Sequence, residues 1–253
     1  PAPYEKEADL ILRGMNQYLW LADEGNFAEF KDYLGLQLVH PAAGLWSFYT
    51  PMDSGVPTPQ QAWQMTRRMD THIAHIPIRG ENVPQENLFV LPETSWMPYM
   101  WSLNNVVVVE NIHTALGYWE ANRPEAAFAL FKGTVLETMF LGLCPGNIGC
   151  NTSHDAARGE AQRDFADGIG ITARALIEGL FGVKPDLLAG EVTLRPGFPA
   201  KWSHANIRHP DFQFGFQREG LRETYDFKSN FERPVRLKLE AAALRDQVVG
   251  VLV

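Results

Sequence analysis

Apolar positions recur every three or four residues through most of the first 183 residues, which is the spacing of helices that bury one face. Five helices are predicted: about 6–22, one that begins at Thr58–Pro59, and about 102–122, 124–141 and 164–182. Thr58 can cap the second helix, and Pro59 suits its first turn. Almost no loop separates the third helix from the fourth, so these two should be antiparallel neighbours. The pattern indicates a succession of helical hairpins.

The spacing of apolar residues along the chain changes near Lys184. Beyond about residue 190, apolar and polar residues alternate in "EVTLRPGF", "ANIRHPDFQFGFQREG", "LRETYDFKS" and "RPVRLKLEAA", as they do in half-buried strands. We therefore predict a helical-hairpin domain at residues 1–186 and a C-terminal antiparallel β-sandwich segment at residues 187–253. The chain opens without Met and ends inside a predicted strand, "DQVVGVLV", so we expect a segment of a longer protein with an incomplete β-module.

Composition and charge exclude some partners. The 253 residues are 45% hydrophobic and 21% charged, which is typical of a globular protein. A net charge of −8 argues against electrostatic binding to nucleic acid or to an anionic membrane. The longest apolar run, "VVVVENIH", is interrupted by Glu110 and Asn111, well short of the roughly 20 residues that a membrane span needs.

One junction resembles that of a known superfamily. The stretch "RDFADGIGITARALIEGLFGVKPDLLAGEVTLRPGFPAKW" is similar to the helix-to-strand junction of bacterial six-hairpin glycosidases, including the α-L-rhamnosidase-like group. There, the last barrel helix ends in a turn that "GLFGVKPD" resembles, and the following strand reads like "TLRPGFP". The run from "YLGLQLVHPAAGLW" to "MDTHI" is also similar to segments of uncharacterised bacterial glycosidase-like proteins.

This resemblance implies the C-terminal half of an (α/α)6 toroid, followed by the start of a β-sandwich. It also implies acid/base hydrolysis of a glycosidic bond with inversion, in polysaccharide degradation, and a periplasmic or secreted location. The expected partners are an oligo- or polysaccharide and the missing N-terminal half of the parent protein. No nucleotide, redox cofactor or metal is expected.

Glycoside hydrolysis needs two carboxyl groups, one to protonate the leaving oxygen and one to activate water or attack the anomeric carbon. Acidic residues concentrate in "GCNTSHDAARGEAQRDFADG", a predicted loop before the last helix. The resemblance would place a late-half base at Glu160, with Asp155 as the second choice. A first-turn acid favoured by the helix dipole is the alternative for Glu160. His154 and Arg163, from the same loop, are candidate substrate-binding residues, although loop arginines more often form ion pairs.

A second candidate segment, "LPETSWMPYMWSLNN", combines indoles with hydrogen-bonding side chains. Aromatic rings stack on the apolar faces of sugars, while carboxylates and amides bind hydroxyls. Glu93 is therefore a third catalytic candidate, and Trp96 and Trp101 are candidate sugar contacts. Burial in the core is the alternative for both indoles, and it is the favoured one for Trp101.

The third candidate segment is "HPAAGLWSFYTPMDSGVPTP", since long ordered loops are often functional. Trp46, Tyr49 and Asp53 are its candidate substrate contacts, although Asp53 before Ser-Gly also suits a turn.

The remaining histidines and the two cysteines form no recognisable catalytic or metal-binding motif. His72, His75 and His113 lie in or beside predicted helices without an HExxH pairing, and a lone helical histidine is usually structural. Cys144 and Cys150 could form a disulfide or remain thiols, and His154 alone does not complete a metal site.

The sequence thus predicts a glycoside hydrolase-like segment. A polysaccharide lyase of the α-toroid type remains open, although the acidic charge and the lack of a basic cleft argue against it. A non-catalytic glycan-binding or assembly fragment is the third class.

Overall fold

Helices and short strands alternate in the computed structural model, which describes residues 2–41, 44–92, 105–138, 153–155, 160–162 and 167–241. The chain divides into two units, Pro1–Ala175 and Leu176–Val253. No helix in the described ranges is long and apolar enough to cross a membrane.

Six α-helices of the first unit are described: α1 (Ala2–Tyr18), α2 (Trp46–Asp53), α3 (Pro59–His72), α4 (Val108–Glu120), α5 (Pro124–Leu136) and α6 (Asp167–Arg174). The predicted start of α3 is confirmed. Thr58 accepts a hydrogen bond from the Gln61 backbone N–H at 3.2 Å, and the Gln61 side chain accepts one from the Thr58 N–H at 2.9 Å. This reciprocal pair satisfies two donors that a helix start leaves without partners.

Short antiparallel strands connect these helices. β1 (Trp20–Leu21) pairs with β2 (Asn26–Phe27), β3 (Phe30–Lys31) with β4 (Val39–His40), and β5 (Ile76–Pro77) with β6 (Phe89–Val90). A three-stranded sheet joins β7 (Asn105–Val107), β8 (Ser153–Asp155) and β9 (Glu160–Gln162) in that order.

Helix α4 lies at the centre of the described part of this unit, against α2, α5 and α6. Ten of its thirteen residues are buried. The close approach of α2 requires Gly117, because a Cβ there would lie 2.8 Å from the Phe48 ring. On α5, a Cβ at Gly133 would lie 2.4 Å from the Phe89 carbonyl oxygen, so this helix packs directly on the backbone of β6.

The predicted half-toroid is wrong. The described residues hold six helices, of which α4 and α5 form an α-hairpin, together with several small sheets, and this is a mixed α/β architecture with too few helices for an (α/α)6 toroid. Strands of two or three residues are too short to show an alternating pattern, so the sequence did not reveal them. Within the third predicted helix, Asn105–Val107 form strand β7, and the fifth gives way to a π-helix at Ala175–Leu180.

The second unit contains all but the first residue of the π-helix, and two three-stranded sheets. Its strands are β10 (Val183–Asp186), β11 (Glu191–Leu194), β12 (His204–Arg208), β13 (Phe212–Glu219), β14 (Arg222–Ser229) and β15 (Arg236–Leu239). The sheet orders are β10-β11-β15 and β12-β13-β14. β11 and β15 are parallel, which departs from the antiparallel sandwich we predicted.

The predicted helix stop at Gly182 has a steric basis. This glycine adopts a φ of +71°, and a Cβ there would lie 1.9 Å from the Arg195 carbonyl oxygen. Only glycine fits both restraints. Next to it, Phe181, Phe198, Phe214 and Phe216 are buried and pack their rings together as the core of this unit.

Candidate functional site

The structure describes some of the predicted site residues in full, others only by their backbone, and others not at all. The side chains of Trp46, Tyr49 and Asp53 are described, and all three lie on α2 rather than in the predicted loop. His154 and Asp155 lie on β8 and Glu160 on β9, where the backbone pairing is described. Four further candidates lie outside the described residues, namely Glu93, Trp96, Trp101 and Arg163.

The β7-β8-β9 sheet aligns two of the predicted catalytic residues. Asp155 of β8 has Glu160 of β9 as its Cα partner, and on its other side it pairs with Asn105 of β7. Directly opposed residues of antiparallel strands have Cα atoms about 4.5–5.5 Å apart. The two acids therefore occupy adjacent positions on a hairpin, although the sequence predicted a loop here.

Asn111 of α4 holds the backbone beside this sheet. Its Oδ1 accepts a hydrogen bond from the Leu91 N–H at 2.7 Å, and its Nδ2 donates to the carbonyls of Leu91 and Val107 at 3.0 and 2.9 Å. The side chain is completely buried, so these three bonds satisfy it without water. Asn111 thereby ties the chain just before Glu93 to the end of β7, and it fixes both ends of the predicted sugar-contacting segment at one place.

A second polar arrangement lies between three helices, and we call Tyr49, Asp53, His113 and Arg174 the α2–α4–α6 cluster. The Tyr49 and His113 rings stack at a centroid distance of 4.7 Å and an interplanar angle of 13°. Arg174 donates to both carboxylate oxygens of Asp53, with Nη1 at 2.7 Å from Oδ2. The cluster thus joins two stacked rings and a bidentate ion pair. Trp46, one turn before Tyr49, is half-buried.

The imidazole of His113 is held in its neutral form at pH 7. Burial lowers the pKa of His113, as does the Arg174 guanidinium, and the Asp53 carboxylate and the Val109 carbonyl oppose this only in part. Nδ1 of this ring is buried and makes no hydrogen bond to any described residue. The residue as a whole is partly exposed.

Sequence reasoning selected Tyr49 and Asp53 but missed His113 and Arg174. His113 was treated as an isolated helical histidine, and Arg174 lies 121 residues from its partner Asp53. The only local signal was the polar character of His113 in a helix that is otherwise largely buried. A pairing over so long a separation leaves no trace in local periodicity.

No protein-family model matches this chain, and no curated protein matches it. Within the described ranges, no group of three or more His, Cys, Asp or Glu residues could hold a metal ion.

Proposed function

We propose that this chain hydrolyses a glycosidic bond, with Glu160 and Asp155 as its carboxyl pair. One observation carries the proposal: these two residues are Cα partners on neighbouring strands, so the backbone pairing brings two acidic residues to adjacent positions. Two such groups on either side of a glycosidic oxygen are what the reaction requires.

The reaction gives the two acids different roles, because one carboxyl group must carry a proton while the other is ionised. In our proposal Asp155 supplies that proton to the departing oxygen, and Glu160 activates the water that attacks the anomeric carbon. The resemblance to six-hairpin glycosidases favours inversion, in which the two carboxyl groups are about 6.5–9.5 Å apart.

The substrate in this proposal is an oligo- or polysaccharide. Trp46 and Tyr49 supply aromatic surface on α2, and Glu93 and Trp96 belong to the segment whose ends Asn111 fixes beside the sheet. The net charge of −8 favours an uncharged glycan over a polyanion.

Isosteric amide variants test the carboxyl pair. Glu160→Gln and Asp155→Asn should each lower hydrolysis of responsive 4-nitrophenyl glycosides by about 10²–10⁴-fold, which is the usual contribution of one acid or base. Glu81→Gln and Asp23→Asn remove exposed carboxylates and are the matched controls. The assay begins with a panel that includes α-L-rhamnoside, β-D-glucoside and β-D-galactoside.

Proton NMR of the first sugar released reports the anomer and therefore the mechanism. Inversion is the expected result, and a retained anomer would instead indicate carboxyl groups about 5–5.5 Å apart. The proposed pair is refuted if both amide variants hydrolyse the substrate as fast as their controls.

A further inference from the structure

We propose that residues 246–253, "DQVVGVLV", pair with β15 as an antiparallel hairpin and cover the leucines at the edge of its sheet. This segment lies outside the described residues, and it follows β15 directly in the chain. The hairpin belongs to the second unit, and its formation is independent of the proposed hydrolysis.

The leucines of β15 lie on the buried face of their sheet, yet they remain half exposed. Leu237 pairs in register with Val192 of β11. Two residues further along, Leu239 pairs with Leu194. Residues that are paired on neighbouring strands point to the same face of a sheet. Val192 and Leu194 are 0% and 1% exposed, whereas the two β15 leucines are 44% and 47% exposed. Within the described part of the chain, the apolar face therefore extends beyond the residues that cover it.

The backbone of β15 also has an open side. In the order β10-β11-β15, it is an edge strand of the sheet as far as the structure describes it. The Arg236 N–H donates to the Gly190 carbonyl at 2.8 Å, towards β11. Successive N–H groups of a strand point in opposite directions, so those of Leu237 and Leu239 point away from β11. Such an edge is a template for a further strand.

The short connection selects the occupant of this edge. Six residues, 240–245, separate Leu239 from the segment. A parallel crossover needs a dozen or more residues, whereas an antiparallel hairpin needs only a short loop. The segment contains four valines, and β-branched residues favour strands. A tether of this length also gives the segment an effective concentration of about millimolar, which favours it over a second copy of the chain.

The distribution of valines in the segment indicates the register. Pairing Leu237 with Val251 and Leu239 with Val249 places both valines on the leucine face. A slip of one residue would place Gly250 opposite Leu237 instead. It would also turn the two valines to the face that carries the exposed basic side chains of β15. The first register is therefore the one that covers the leucines.

Amide hydrogen exchange of the full chain, followed by NMR, tests the pairing. The N–H groups of Leu237 and Leu239 should exchange at least about 10²-fold more slowly than unprotected amides, because the hairpin supplies their acceptors. An NOE between the Hα atoms of Lys238 and Gly250 should also appear, since this pair lies between the two hydrogen-bonded pairs. Unprotected exchange at both leucines would overturn the proposal.

Neighbouring substitutions on opposite faces test the register. Val251→Asp places a carboxylate on the leucine face and should accelerate exchange at Leu237 and Leu239 about tenfold or more. Leu252→Asp introduces the same charge on the exposed face, and exchange should stay within about twofold of the parent. In both variants the Phe214 amide of the central strand β13 should remain protected, which shows that the unit is folded. Faster exchange in Leu252→Asp than in Val251→Asp would refute the register.

A sample of mixed labelling separates the hairpin from pairing between two copies. When ¹³C-labelled and unlabelled chains are mixed, an intramolecular hairpin gives no NOE between them, and protection of the leucine amides does not change on dilution. If contacts join labelled to unlabelled chains, or if protection is lost on dilution, a second copy occupies the edge and the proposed hairpin is wrong. None of these measurements depends on glycoside hydrolysis, so either proposal can fail without the other.

Discussion

Two Asp–Arg clusters flank helix α4, which contributes Tyr118 to one and His113 to the other, and they differ in burial. Towards its C-terminal end, the hydroxyl of Tyr118 donates to Asp70 at 2.9 Å, and Arg123 donates to the other oxygen of the same carboxylate at 2.6 Å. Arg67 adds a third donor at 3.2 Å. Towards the N-terminal end, Asp53 and Arg174 pair with each other beside the stacked rings of Tyr49 and His113.

The side chains of the two clusters also differ in how far they are buried. The Asp70 side chain is 16% exposed and Tyr118 is fully buried, and burial together with the Asp70 carboxylate raises the pKa of Tyr118 well above its usual range. Asp53 and Arg174 are about twice as exposed as Asp70. A polar network whose groups find partners inside the protein contributes stability, whereas an ion pair with solvent access contributes less.

The largest effect should come from Asp70→Ala. Arg123 and the Tyr118 hydroxyl would both lose their acceptor in a largely buried place, so we expect the free energy of unfolding to fall by about 3 kcal/mol. Urea denaturation followed by tryptophan fluorescence measures this, with Asp9→Ala on the exposed helix α1 as the control. A loss below that of the control would show that the network is not structural.

The same substitution in the other cluster should have a smaller effect on stability. Asp53→Ala removes an ion pair with solvent access, and such pairs contribute at most about 1 kcal/mol. Urea denaturation under the same conditions measures this loss, with Asp9→Ala again as the control. A stability loss equal to that of Asp70→Ala would make the two clusters equivalent.

How much the sequence could predict depends on how local each interaction is. The cap of α3 needs only Thr58, Pro59 and Gln61, which are neighbours in the chain, and it was predicted correctly. The strands of the second unit span up to eight residues, long enough to show alternation. In contrast, β5 and β6 are two residues each, and their pairing joins Ile76 to Val90, which no local period can indicate.

For the candidate site, too, the sequence predicted the residues that are close together in the chain and missed their distant partners. Asp155 and Glu160 were selected because acids concentrate in one short stretch, and Tyr49 and Asp53 because they lie in one punctuated segment. The partners of the latter two, His113 and Arg174, come from helices far along the chain. Their selection required the packing of α2 and α6 against α4, which depends on close contacts such as that of Gly117 with Phe48.

The smallest effect concerns the pH dependence of stability at His113. Burial lowers the pKa of this imidazole in the folded protein, so the unfolded chain binds a proton more readily than the folded chain does. Stability is therefore complete above the unfolded pKa of about 6.5 and decreases as the pH falls from there towards the folded pKa. The pKa of His75 is also lowered, mainly by burial, and it adds a slope of the same sign.

His113→Gln should reduce this slope without removing it, because His75 remains. Urea denaturation at several pH values between about 5 and 8 measures the slope, and the parent protein and His72→Gln, which alters an exposed imidazole, are the references. An unchanged slope in His113→Gln would mean that the folded protein accepts the proton there as readily as the unfolded chain does. Burial of the imidazole between α2 and α4 would then not be the cause of its lowered pKa.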